Sequence, residues 1–383
     1  MRPALKSGLL PVWRDRETLQ IGIDPRRAIA LSGIGQAAFV VGLLDGSRDR
    51  DQVIAAAAGR GIPAQTTERI LTLLAAGGAL DDFPAGTFRE LPLALRAKLA
   101  PELATTSLAY RDGDGGARAL ARRRAAVVRI EGDRRIGRAA ARLLNAAGVG
   151  QVHFVRPPAD DPARLASGGE FPRSGQFTDA GRSPDAGRSP DTGRPSGAAK
   201  PSGAARLIAA RGDRGSGKRR GAARQSRSAE ALRPRIAPVI RPDLIILAGR
   251  QPIERLAPLA RARVPHLAVM AGEAIGIVGP LVVPGQTACL LCLDYVRAGN
   301  DPAWPLILAQ IGRKRPEPPA CDAVLATAVA AQAAAQALTA IEKGPMATAA
   351  ANGTLELVLP DWRWRRRTWP PHPACPCGSH TTR

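Results

Sequence analysis

The stretch GPLVVPGQTACLLCLDYVR, Gly279 to Arg297, fixes how the rest of the chain is read. An apolar run bounded by Pro280 and by Pro284-Gly285 predicts a buried strand ending in a turn. Cys289 and Cys292 follow in a C-x-x-C knuckle, which is half of a tetrahedral thiolate site. The other close cysteine pair is Cys375 and Cys377, in HPACPCG near residue 383. If all four hold one zinc ion, the end of the chain is clipped back onto its middle. The second pair is C-x-C, so unpaired thiols or a disulfide stay open as alternatives. Cys321, the fifth cysteine, stands alone. No apolar run with a small-residue cleavage site opens the sequence, so a reducing, cytoplasmic setting is expected, where cysteine clusters hold metal more often than they form disulfides.

The formal charge of +22 invites a nucleic-acid reading. Its location argues otherwise: Arg173 to Arg235 carries 15 Arg/Lys against 5 Asp/Glu, so about half of the surplus is local. This segment repeats DAGRSP at Asp179–Pro184 and Asp185–Pro190, with a near copy at Asp191–Ser196. A Gly, Pro, Ser and Arg composition cannot bury enough apolar surface to offset ordering entropy, so residues 165–235 are expected to be a disordered basic insertion. Inside it, GDRGSGKR (Gly212 to Arg219) imitates a phosphate loop but lacks Ser or Thr after Lys218. The apolar stretch Ala323 to Ile341 carries Gln332 and Gln336 and predicts a buried helix rather than a membrane span.

Up to about Pro84, alternating Leu19, Ile21 and Ile23 predict a strand, and Ala28 to Leu31 a second. Helices follow at Ile34–Leu44, from an Asp49 cap through Ala58, and around Ile70–Leu74, with Ala79–Asp82 as a closing wing strand. A DNA-binding winged helix is the plain interpretation, yet the presumed recognition helix offers only Arg69 to a phosphate backbone. The order LQIGIDPRRAIALSG, LLDGSRDRDQVI, LLAAGGALDD resembles the PqqD-like winged helices of ribosomal-peptide modification systems. That resemblance implies a leader peptide added to a sheet edge. Residues 91–120, rich in glycine and charge around Arg111–Gly116, read as a connector.

From Ala121 a strand (Ala126–Ile130), a glycine turn (Gly132–Gly137), a helix (Arg138–Ala147) and a strand (Gln151–Val155) open a nucleotide-binding α/β domain. Together with LLNAAGVGQVHFV, PDLIIL, the Cys289 knuckle and PPACDAVLATAVAAQAAAQAL, residues 121–383 resemble the ThiF-like fold of ubiquitin-like-modifier-activating enzymes. The resemblance assigns a nucleotide loop to Gly132 and Gly137, but arginines 134 and 135 stand where that family has glycines. Arg156 follows the strand that the family ends with a ribose-binding acid, and Leu247 and Arg250 match positions of its magnesium carboxylates. ATP binding is therefore doubtful, and the domain reads as non-adenylating. Cys321 matches a cysteine of a mobile family loop; a sulfur-transfer role is the sharp expectation and an inert thiol the plain one, with Lys314 and Arg315 too far along the loop to assume contact.

Arg297, Asp301, Pro302, Trp304 and Pro305 form a motif after the knuckle that packing plus a capping turn explains. Trp362 and Trp364 interleave with arginines, either to stack on bases or to cover a sheet edge. The expected fold class is thus α/β, with an N-terminal winged-helix module (1–90) and a ThiF-like Rossmann-type domain with a zinc knuckle. Taken together, the two parts resemble the leader-binding partners of azoline-forming cyclodehydratases, which implies a precursor peptide and a YcaO-type enzyme as partners. Pairing with a second copy is left open, and no membrane contact is expected. An active adenylyltransferase and a nucleic-acid-binding regulator are the competing readings.

Overall fold

The computed structural model describes residues 1–82, 92–155, 241–251, 253–311 and 320–379. The chain divides into two units, Met1–Asp160 with Ile240–Arg383, and Asp161–Val239. The second unit, with the DAGRSP repeats and the imitation phosphate loop, lies outside the described residues, as do Arg156, Lys314 and Arg315.

Residues 3–82 begin with β1 (Pro3–Leu5) and a three-stranded antiparallel meander of β2 (Pro11–Trp13), β3 (Leu19–Ile21) and β4 (Ile29–Leu31). In β3, Leu19 and Ile21 point into a core and Gln20 does not, as period two requires. The helix expected at Ile34–Leu44 is reduced to a 3-10 turn at Gly35–Ala38 and α1 (Phe39–Gly42). Gly33 and Gly35 hold positive φ and no side chain caps the first turn, so a full helix does not start there. In α2 (Arg50–Ala58) the reciprocal Asp49–Gln52 capping box satisfies the first free amides. Then α3 (Ala64–Ala76) buries Ile70, Leu71 and Leu74. The closing strand β5 (Leu80–Asp82) pairs with β1, not with the meander.

The stretch read as a connector contains α4 (Leu93–Tyr110) and, after a turn in which Gly113, Gly115 and Gly116 take positive φ, α5 (Ala117–Ala125). Two buried ionic networks tie them in. Lys6 pairs with Asp81 and donates to the Ser107 hydroxyl at 2.6 Å, joining β1, β5 and α4. Arg123 of α5 pairs with Glu342 and, at 2.9 Å, with Glu102, while the Tyr110 hydroxyl donates to Glu342. Burial, then the adjacent Glu342 carboxylate, pushes the Tyr110 pKa up.

The remaining strands are β6 (Val127–Gly132), β7 (Gln151–Val155), β8 (Leu244–Ala248), β9 (His266–Gly272), β10 (Ile275–Val282), β11 (Gly353–Val358) and β12 (Arg363–Thr368). They form one sheet in the order β12-β11-β10-β9-β8-β6-β7. The β7-β6-β8-β9 part is parallel, whereas β10, β11 and β12 continue it antiparallel. The strand predicted before Pro284 is β10, and the arginine-tryptophan run, expected to stack on bases or to cover a sheet edge, is itself a further edge strand, β12, paired with β11.

Between β6 and β7, α6 (Arg134–Ala146) begins four residues earlier than expected, because Asp133 caps it through the amides of Arg135 and Ile136. Behind β8 lies α7 (Ile253–Arg261). The knuckle opens α8 (Leu290–Asn300), followed by α9 (Trp304–Ile311). One helix, α10 (Ala323–Lys343), is long and apolar enough to cross a membrane, but Leu325, Val329, Ala330, Ala333 and Ala337 pack it into the core with α6 and one sheet face. The other face buries Ile245 and Leu247 against Leu256 and Leu259. Gly276 of β10 lets α10 lie close to the sheet: a Cβ there would meet Val329 at 2.3 Å.

Candidate functional site

Cys289 is the N-cap of α8 and Cys292 lies in its first turn, so the C-x-x-C spacing puts both sulfurs on one side of a helix start. The chain returns from β12 through buried Trp369 and delivers Cys375 and Cys377 to the same spot. The sulfur separations are 3.8 Å for Cys289–Cys292, 3.7 Å for Cys289–Cys375 and 3.6 Å for Cys292–Cys377, with all four sulfurs within 4.8 Å of one another. A disulfide needs about 2.05 Å between sulfurs. A tetrahedral zinc with sulfurs at about 2.3 Å needs edges of about 3.8 Å. The four thiols therefore fit a metal ion and not a pair of disulfides.

Burial raises the Cys289 thiol to about 12 and pushes Cys375 up as well. Burial acts upward on Cys377 too, yet hydrogen bonding with the Ser379 hydroxyl and backbone prevails and lowers it to about 7. Without a cation, collecting four thiolates in this setting is unfavourable; a bound divalent ion reverses that balance.

An arginine-tryptophan cluster adjoins the cysteines. Arg297 of α8 lies over the Trp304 ring at 5.2 Å and over Trp369 at 5.3 Å, while Arg367 lies over Trp369 at 4.2 Å. Asp294 accepts from the Trp304 indole at 3.1 Å and pairs with Arg297 at 3.3 Å. The motif Arg297…Asp301-Pro302-x-Trp304 thus folds onto itself, with Asp301 accepting from the Ala303 amide at 2.9 Å. Tyr295 stacks on His372 at 5.0 Å, joining the two cysteine-bearing segments.

The presumed nucleotide loop is built differently from a phosphate cradle. Gly132 takes φ +107°, and a Cβ there would sit 1.8 Å from the Ala248 carbonyl oxygen. Gly137 is inside α6, where a Cβ would meet the Phe154 ring at 2.4 Å. Strand-strand and helix-strand packing therefore account for both glycines. At the helix start the Asp133 carboxylate accepts the amides of Arg135 and Ile136 at 2.8 and 3.0 Å. An anion bound at a helix N-terminus uses such donors. Arg135 turns away to donate to the Cys321 carbonyl at 2.6 Å.

That contact brings Cys321 beside the loop, but not toward reactivity. The residue is 8% exposed within the main core, and burial, with Asp133 adding to it, raises its thiol pKa. No cationic side chain donates to its sulfur among the described residues; the sulfur approaches the Asp322 carbonyl at 3.7 Å.

No family model and no curated protein matches the chain. Solved structures do. The heterocyclase TruD aligns with 100% of this chain and 43% of its own at 16% identity, TM-score 0.57. A heterocyclase in complex with substrate and cofactor aligns with 99% and 40% at 14% identity, TM-score 0.58. E. coli MccB, solved with AMPCPP and selenomethionine MccA, aligns with 99% of this chain and 100% of its own at 13% identity, TM-score 0.56. The chain thus spans less than half the length of the heterocyclases and the full length of MccB. The likeness shows the fold: an MccB-like mixed α/β architecture, as the ThiF resemblance led one to expect.

The Arg297 cluster was treated in the sequence as packing and a capping turn, and its link to Arg367 was missed. Arg367 is 70 residues from Arg297 in sequence. Only the return of the chain to the cysteines brings them onto one indole.

Proposed function

We propose that this chain is a non-adenylating ThiF-like protein that binds a precursor (leader) peptide and presents it to a YcaO-type cyclodehydratase in azole-modified peptide biosynthesis. The observation that carries the reading is the helix start at Asp133, where a carboxylate of the protein itself takes the amide donors a nucleotide phosphate would need. The fold likeness to a heterocyclase solved with substrate and to MccB solved with MccA supports a peptide-modifying setting. Zinc is the ion assigned to Cys289, Cys292, Cys375 and Cys377, since four thiolates at tetrahedral spacing suit it.

The peptide would enter on the winged-helix module. Its meander has two edges, and Pro11 removes an amide donor from the β2 edge. The β4 edge runs beside α3, where Ile29 packs at Gly77 and Leu73 is 45% exposed. A leader adding as a strand to β4 would lay alternate apolar side chains on Leu73.

A second reading, an ATP-dependent adenylyltransferase, is favoured by the fold likeness to MccB solved with ATP, at 13% identity and TM-score 0.55. Calorimetry of ATP with Mg²⁺ on the zinc-loaded full chain separates the two: no heat of binding is expected, and clear binding would bring the enzyme reading forward. In fluorescence anisotropy, a labelled leader from a neighbouring precursor gene should bind the full chain, and Leu73→Asp should weaken it about tenfold or more. Equal affinity in Leu73→Asp would remove the β4 groove from the proposal.

A further inference from the structure

Two arginines, Arg297 and Arg367, meet on the Trp369 indole, and the charge of a third, Arg250, reaches Arg297 from the carboxyl end of β8, where open α/β sheets take their ligands. Arg250 follows directly after that strand, Arg297 comes from α8 and Arg367 from β12. Arg297 is 30% exposed at its side chain and is gripped between two indole rings, Trp304 and Trp369. Gripping fixes the guanidinium plane, so its free N–H edge is aimed without further loss of rotamer freedom. The Arg367 guanidinium covers the same Trp369 ring and has no ion-pair or hydrogen-bond partner among the described residues; the Arg250 guanidinium has none either. The acid paired in the cluster among the described residues, Asp294, is already engaged with Arg297 and the Trp304 indole. One carboxylate against three guanidiniums leaves a surplus of two positive charges.

We propose that Arg250, Arg297 and Arg367 form an oxyanion site on the Trp304–Trp369 platform, and that its ligand is a carboxylate-bearing segment of a peptide. Planar guanidiniums held at their faces present paired N–H donors that match a carboxylate bidentately. Phosphate is the weaker fit: a nucleotide phosphate on this fold draws on amides at a helix start, and Asp133 occupies those of α6. Two surplus charges suit one or two carboxylates, and the half-buried Trp304 indole gives a peptide apolar contact beside them. The electrostatic strain of the site agrees with this. Burial, followed by the charges of Arg250 and Arg367 against the opposing pull of Asp294, depresses the Arg297 pKa, so an arriving anion relieves a repulsion already present. The site does not depend on the leader-peptide reading, since none of its residues belongs to the N-terminal module.

The test uses the full chain, zinc-loaded, with fluorescein-labelled hexaglutamate in anisotropy at 150 mM NaCl. The double variant Arg250→Gln/Arg367→Gln should raise Kd about tenfold or more, as expected for losing hydrogen bonds to a charged group. Arg363→Gln/Arg365→Gln removes the same charge, both from the strand that carries Arg367, but at arginines already paired with Asp361, and should change Kd less than twofold. Equal losses in both doubles, or none in the first, would show that peptide is held by general charge, including the basic segment 173–235, and would overturn the site. Displacement of peptide by inorganic phosphate at a lower concentration than by succinate would overturn the carboxylate assignment. Zinc content and melting temperature confirm that each variant is folded; if the double fails, Arg250→Gln alone, at an exposed position, gives the same comparison.

Discussion

Replacing Cys375 by Ser should release the metal and the end of the fold together. Cys375 is 1% exposed and closes the small core of Ala288, Cys292, Leu293 and Trp369. A serine hydroxyl at neutral pH is a poor zinc ligand, so the proposed site falls to three sulfurs. Once the ion leaves, nothing offsets the desolvation that raises Cys289, and the segment after β12 loses its anchor. Trp369, 2% exposed, then gives up its cover. At roughly 200 Å² and about 25 cal/mol/Å², that alone is about 5 kcal/mol, an upper bound because unfolded chains are partly compact. For a fold of this size, 1 kcal/mol moves the midpoint by about 2–4 °C, so the melting temperature should drop by about 10–20 °C. The assay is zinc stoichiometry by mass spectrometry, with tryptophan emission and calorimetric melting under reducing conditions. Cys321→Ser is the control: Cys321 lies in the main core, away from the cluster, and should keep one zinc per chain. A Cys375→Ser protein with one zinc and an unchanged midpoint would refute the four-sulfur site.

Glu342→Gln leaves buried Arg123 facing a neutral amide and turns one of the two oxygens that accept from Arg123 and the Tyr110 hydroxyl into an N–H donor; urea unfolding should show a loss of about 3 kcal/mol, and a change below about 1 kcal/mol would mean that Glu102 and the Ala147 carbonyl suffice for Arg123. His266, 3% exposed, has its pKa lowered by burial, so in acid the unfolded chain takes up a proton that the folded one refuses. Its contribution is complete above about pH 6.5 and is lost as pH falls below that value, at no more than about 1.4 kcal/mol per pH unit; His266→Gln should flatten that part of a urea-midpoint profile between pH 7.5 and 5.

The parallel half of the sheet was legible because β6, β7 and β8 are short apolar runs next to a glycine turn and a helical pattern. The cysteine cluster was legible because two close pairs have few other uses in a reducing setting. Residues 93–125 misled for a physical reason: Pro101 within α4 and the Gly113–Gly116 turn carry connector chemistry, while the partners that bury these helices, Lys6 and Glu342, are remote in sequence. The start of α6 was placed late because a glycine loop was assumed through Gly137, where the Asp133 cap ends it four residues sooner. The β12 strand was hidden by its composition, since an arginine-rich edge has no apolar alternation to announce it; its six-residue register with β11 supplies what the side chains do not.

The charges around the ends of β6 and β8 argue as a set. A nucleotide site on this fold needs open amides for phosphate and carboxylates for the magnesium that accompanies it. Here the amides meet Asp133, and the position to which the ThiF resemblance assigns a metal carboxylate is held by Arg250, so on that resemblance each element has the sign opposite to the one required. Neither change is neutral: a carboxylate at the helix start repels phosphate, and an arginine beside it repels a magnesium ion. Together they weaken a magnesium nucleotide from both ends, while a metal-free anion drawn to Arg250, Arg297 and Arg367 meets attraction without having to displace the Asp133 cap. The same inversion thus argues against adenylation and for an acidic peptide segment, and it ties both to the cysteines, because Trp369, on which Arg297 and Arg367 rest, is buried against Cys292 and Cys375.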